Sequence, residues 1–149
     1  MEHDSASILG GVEFFDVCND EQIRLLAFSS ENLNFRAGQV IVEKGEMSEG
    51  AYIINYGCVI IGESAQNTTS FCGPGVMIGE LNLLMKRVHQ STITAQGEVD
   101  CLFVPRGAFQ KLLKQYPDLA SYFIEKIEAG LDDYLQSINL SSLNERNVK

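Results

Sequence analysis

The chain has 149 residues, 45% hydrophobic and 21% charged, with a formal charge of −9; this fits one globular domain with an ordinary core. No apolar run approaches the roughly 20 residues that cross a bilayer, which argues against a membrane-spanning protein. The acidic balance opposes direct nucleic-acid binding, which needs Lys and Arg clustered against phosphate.

The charge is uneven. Residues 1–105 carry 5 Lys/Arg against 14 Asp/Glu, whereas residues 106–149 carry 6 of each. Cys18, Cys58, Cys72 and Cys101 are scattered without a CxxC pair, and the histidines are His3 and His89. No metal-ligand spacing is visible, so no metal is expected. The cysteines read as small buried apolar residues in a reducing compartment. The polar, acidic start MEHDSAS lacks the layout of a secretory signal, so the expected location is the cytoplasm.

In chain order, Ile8, Leu9, Val12, Phe14 and Phe15 suggest a short helical turn. Asn19 with Gln22 three residues on forms a candidate capping box, opening a helix over about residues 20–29. From residue 33 the period becomes that of strands. LNFRAGQVIVEKG gives two strands around Ala37-Gly38, and AYIINYGCVIIGE reads as a hairpin with its tight turn at Asn55-Tyr56-Gly57. Thr68 to Cys72, Val76 to Ile78, Ser91 to Gln96 and Val99 to Val104 supply four more, the last pair joined through Gly97-Glu98. Eight short strands argue an antiparallel roll or barrel within an α+β, mainly β, fold.

After Pro105 the pattern turns helical. RGAFQKLLKQY suits one short helix, and Pro117-Asp118 opens a long one to about residue 139, followed by a polar tail over 141–149. On the long helix Phe123, Ile127, Leu131, Tyr134 and Ile138 resemble a coiled-coil seam, so a homodimer is expected; core packing is the competing explanation. Gly130 counts against the seam.

Three stretches carry a family resemblance: GQVIVEKGEMSEGAYIINYGCV, GPGVMIGELNLL and VPRGAFQKLLKQYPDLA. In this order and spacing they resemble the cyclic nucleotide-binding domain of the cAMP receptor protein superfamily, over about residues 8–139. The resemblance implies short N-terminal helices, an eight-stranded jelly-roll-like β-roll, a short helix in a phosphate-binding cassette and a C-terminal helix that often dimerises. It places one domain over residues 1–140.

The implied ligand has a singly charged phosphodiester, a ribose hydroxyl and a flat base. In the family a cassette Gly-Glu pair and backbone N–H groups face the ribose and phosphate, and an arginine grips the phosphate. Gly79, Glu80 and Leu81 match that pattern, and Ser91 lies in its closing segment. Asn82 stands where alanine is usual, Val88-His89 replace the usual Pro-Arg, and Gln90 replaces a small residue. Arg87 is the candidate substitute for the missing anion contact. Losing the arginine fork should weaken binding about ten- to a hundredfold.

The expected function is therefore a non-catalytic sensor module with weakened or altered affinity for cAMP or cGMP, requiring no other cofactor. The alternative is a ligand-free dimerising interaction module. Catalytic residues are not expected, since a metal-dependent jelly-roll enzyme needs several converging His and carboxylate ligands. Residues 141–149 are too few for a helix-turn-helix, so any protein partner is unidentified and any DNA reader would be borrowed.

Overall fold

The computed structural model describes residues 4–62 and 68–129. Helix α1 (Ser5–Gly10), a 3-10 turn (Glu13–Phe15) and α2 (Asp20–Phe28) precede eight strands. These are β1 (Glu31–Phe35), β2 (Val40–Val42), β3 (Gly50–Tyr56), β4 (Cys58–Gly62), β5 (Thr68–Cys72), β6 (Val76–Ile78), β7 (Thr92–Ala95) and β8 (Val99–Pro105). A second 3-10 turn, Glu80–Leu83, lies between β6 and β7, and α3 (Arg106–Gln115) follows β8. The last helix, α4, runs from 117 through 129, the end of the described residues. The expected Asn19–Gln22 capping box is present: Gln22 N–H donates to Asn19 Oδ1 at 2.9 Å and Asn19 N–H to Gln22 Oε1 at 2.8 Å.

All strand pairs are antiparallel, in two four-stranded sheets ordered β1-β8-β3-β6 and β2-β7-β4-β5. This is the expected eight-stranded roll, but the neighbours differ from those expected at the tight turns. β3 and β4 do not pair across Asn55-Tyr56-Gly57, nor do β7 and β8 across Gly97-Glu98; each turn carries the chain from one sheet to the other. Among the described strands, only β4 and β5 are consecutive ones that pair. Turn residues report a reversal, while pairing depends on which face each strand must bury.

Burial explains the layering. On β3, Ala51 and Ile53 point into a core shared with the helices, whereas Tyr52 and Ile54 point into the roll. On β8, Leu102 and Val104 take the helical side, and Val99 and Cys101 the roll side. Residues two apart share a face, so these central strands are buried on both sides and read as nearly continuous apolar runs. The roll interior is completed by Val42, Val59, Ile93 and Ala95.

Phe123 of α4 is fully buried in the helical core, its ring centroid 5.0 Å from that of Phe14 and 4.9 Å from that of Phe109. Ile127 is also buried. These two positions of the expected dimer seam are therefore buried within their own chain, Phe123 against the aromatic N-terminal turn. Leu131, Tyr134, Ile138 and the polar tail lie outside the described residues. The cysteine expectation also needs correction. Cys101 is buried and Cys18 half-buried, but Cys58 and Cys72 form a disulfide between β4 and β5. They are direct partners in the ladder, a proximity that their sequence separation of 14 does not reveal.

A buried cation ties the elements around the Glu80–Leu83 turn. Arg106, only 8% exposed, donates from Nε to Asn82 O at 2.9 Å and from its Nη2 to both Ser48 O and Ser48 Oγ. Ser48 in turn donates its N–H to Arg87 O at 2.7 Å, and Ser48 Oγ accepts from Arg87 N–H at 3.3 Å. One guanidinium thus joins the start of α3, the approach to β3, the 3-10 turn and the segment carrying Arg87.

Gly57 has φ +90°, and a Cβ there would collide with the Glu98 carbonyl; Gly57→Ala should lower the urea unfolding free energy by about 2 kcal/mol or more. Arg106→Met removes charged donors from buried carbonyls and should cost about 2–4 kcal/mol in the same assay. A change below about 0.5 kcal/mol, the range of ordinary surface substitutions, would contradict either assignment.

Candidate functional site

The Glu80–Leu83 turn forms where the chain leaves the edge strand β6. Gly79 caps it in the left-handed conformation, φ +83°, and Asn82 N–H donates back to Gly79 O at 2.9 Å. Asn82 is buried: its carbonyl serves Arg106, and its side-chain amide occupies the space a Cβ on residue 79 would need. Leu83 is wholly buried in the helical core. An inward Leu83 and an anchored Asn82 leave Glu80 and Leu81 on the opposite side of the turn.

That side opens onto a cavity of about 680 Å³. Glu80, Leu81 and Arg87 form one wall, and Gly75 and Met77 contribute from around β6. Val12, Glu13 and Phe14 close it from the N-terminal turn, and Lys126 and Ile127 from α4. Apolar surface and a few convergent charges are the usual makeup of a small-molecule site.

The charges differ in their freedom to act. Glu80 is exposed as a residue, yet its carboxyl is desolvated enough that burial pushes its pKa up, opposed by a hydrogen bond from its own backbone N–H. Lys126 is engaged: Nζ lies 2.8 Å from Asp16 Oδ1 and donates to Glu13 O at 2.7 Å. The Arg87 guanidinium has no hydrogen bond or ion pair with the described residues. Its backbone is fixed by Ser48, so the side chain projects from a stable base.

His89 stands elsewhere in this arrangement. Its N–H donates to Glu46 O and its carbonyl accepts from Gly45 N–H, both at 2.9 Å, and it does not line the cavity. Burial lowers the His89 pKa, with Glu46 pulling the other way. Gln90 is exposed and donates to Val88 O at 3.1 Å, and Ser91 is half-buried beside β7. Of the residues singled out in the sequence for ligand contact, the cavity brings together Glu80, Leu81 and Arg87; Gly79 and Asn82 shape the turn beneath them. Lys126, Phe14 and Met77 were not anticipated as cavity residues. The Asp16–Lys126 pair joins segments 110 residues apart, so no local pattern could reveal it. Among the described residues no cluster of His, Cys, Asp and Glu could hold a metal ion, and no helix is long and apolar enough to cross a membrane.

Comparison with known proteins agrees with the fold. The chain is similar to a cyclic nucleotide-binding-like protein from Brucella abortus bv. 1 str. 9-941, at 31% identity and TM-score 0.64, over 75% of this chain and 99% of that one. The N-terminal domain of a transcriptional regulator from Streptomyces coelicolor A3(2) shares the fold, with TM-score 0.74 and 24% identity over 88% of this chain and 94% of that one. The cAMP-dependent protein kinase regulatory subunit of Dictyostelium discoideum is 29% identical over 124 residues, which are 78% of this chain and 38% of that protein. Lysophospholipase NTE1 of Chaetomium globosum is 29% identical over 114 residues, 71% of this chain but 8% of that protein. The chain thus spans less than half the length of these two curated relatives. The profile described as Cyclic nucleotide-binding domain matches residues 32–116, from β1 to the end of α3 and through the Glu80–Arg87 segment. With more than half of its length matched, the chain belongs to the cyclic nucleotide-binding domain family.

Proposed function

We propose that this domain is a non-catalytic sensor that binds a cyclic nucleotide such as cAMP or cGMP with weakened affinity, using Arg87 in place of the arginine that His89 replaces. The observation that carries this reading is the cavity wall made by Glu80, Leu81 and Arg87. The Glu80 carboxylate can accept from a ribose hydroxyl, and Arg87 can donate to the phosphodiester with its planar fork. Leu81, Met77 and Phe14 provide apolar surface for the base.

Regulation follows from the cavity's construction. A ligand there touches the cassette, the N-terminal turn and α4 together, so it can favour one position of α4 over another. The similarity to a kinase regulatory subunit supports a role in which a protein partner reads that position. This reading places the domain in the cytoplasm, without direct nucleic-acid contact. A second reading, an interaction module that dimerises without ligand, is favoured by Tyr122 and Ile124, which are 58% and 45% exposed on α4.

Calorimetric titration with cAMP, cGMP and cyclic dinucleotides separates the two. The sensor reading predicts saturable binding of cAMP or cGMP, reduced about tenfold or more by Arg87→Ala or Glu80→Ala. His89 lies outside the cavity, so His89→Ala should change affinity by less than about threefold. No heat from any of these ligands, together with a concentration-independent dimer in sedimentation, would favour the second reading.

A further inference from the structure

Cys58 and Cys72 occupy a position that suits them to more than static bracing. They face each other across β4 and β5 and are joined by a disulfide. β5 is the outer strand of its sheet and is exposed along its whole length, Cys72 included. The other two sulfurs are protected: burial pushes the Cys101 thiol up to about 12 and the Cys18 thiol to about 11, leaving little of the reactive thiolate. Of the four cysteines, Cys72 alone is exposed; Cys58 and Cys18 are half-buried and Cys101 is buried.

The chain next to the pair forms the rim of the cavity. Gly57 and Gly73 flank the two cysteines, and Gly73 N–H donates to Gly57 O at 3.0 Å. Gly75, three residues past Cys72, donates to Ile54 O at 2.8 Å and lines the cavity. The rim therefore hangs between an outer strand fastened at Cys72 and the three-residue edge strand β6.

We propose that Cys58 and Cys72 form a reversible thiol–disulfide site, exchanged by a small thiol of the glutathione class, and that its redox state sets how firmly the Gly73–Gly75 rim is held. A glutathione thiolate attacks Sγ of exposed Cys72, the S–S bond breaks, and Cys58 leaves as a thiolate that takes a proton. A second glutathione attacks the glutathione sulfur of the mixed disulfide and releases Cys72 as a thiol. The protein disulfide gains two electrons and two protons, and the two glutathiones leave joined as their own disulfide. In a reducing cytoplasm the pair rests as thiols and closes under oxidation. The altered rim rests on the cavity of the proposed function, whereas the exchange itself requires no ligand.

The full chain, without ligand, is equilibrated in glutathione buffers of stepped redox ratio, trapped by alkylation, and mapped by peptide mass spectrometry. Cys58 and Cys72 are expected to gain label together in one reversible transition, with labelling at Cys18 and Cys101 independent of the redox ratio. Amide exchange followed by NMR should quicken about tenfold at Gly73 and Gly75 on reduction. In a Cys58→Ser/Cys72→Ser variant these rates should match the reduced form in every buffer. A pair that never closes, a redox-dependent transition that maps to Cys18 or Cys101 instead, or equal Gly73 and Gly75 rates in the two redox forms would each overturn the proposal. These outcomes are independent of whether cAMP or cGMP binds.

Discussion

The arrangement around the cavity depends on a positive charge placed in the interior. Arg106 satisfies its guanidinium with the carbonyls of Asn82 and Ser48 and the Ser48 hydroxyl. Desolvating a cation is expensive unless its donors are occupied, so these acceptors must stay where they are. Asn82 lies in the turn that presents Glu80, and Ser48 holds the backbone of Arg87. The two charges on the cavity wall are thereby referred to a single point in the core.

A second set of contacts closes the cavity from behind. Phe14 and Phe15 of the N-terminal turn meet Phe109 of α3 and Phe123 of α4, with ring centroids 5.0 to 6.3 Å apart, and Phe109 and Phe123 lie 4.9 Å from each other. Such aromatic pairs add about 0.5–1.5 kcal/mol each beyond their buried area. Lys126 joins the same two segments through Asp16 and the carbonyls of Glu13 and Phe14, but a partly exposed pair of this kind contributes little on its own. The aromatic cluster thus holds the helices together, while Lys126 at the cavity edge is the more easily exchanged contact.

The sequence made the eight strands and the N-terminal capping box legible because apolar periodicity and cap chemistry are local. Strand partnership was less legible. Gly57 and Gly97 mark reversals in either a hairpin or a corner between sheets, and only burial of both faces of β3 and β8 distinguishes them. At the cavity, Glu80 and Arg87 could be singled out by position, but their shared wall depends on Arg106. One local signal of Arg106 was available: a cation in the first turn of α3 opposes the helix dipole, a mismatch that invites another explanation. The Cys58–Cys72 pairing had no such signal, since it follows from the ladder register.

The proposed sensor function requires a cyclic nucleotide to be held between Glu80 and Arg87. Its most direct test is a side-chain and amide NMR titration with cAMP in which Arg87 Nε–H is resolved. Binding at this cavity should give the largest saturable shifts at Arg87 Nε–H and at the amides of Glu80 and Leu81, with smaller ones at Lys126 and Ile127. Saturable shifts centred on His89 and Glu46 with Arg87 unmoved, or no shifts at all, would contradict it.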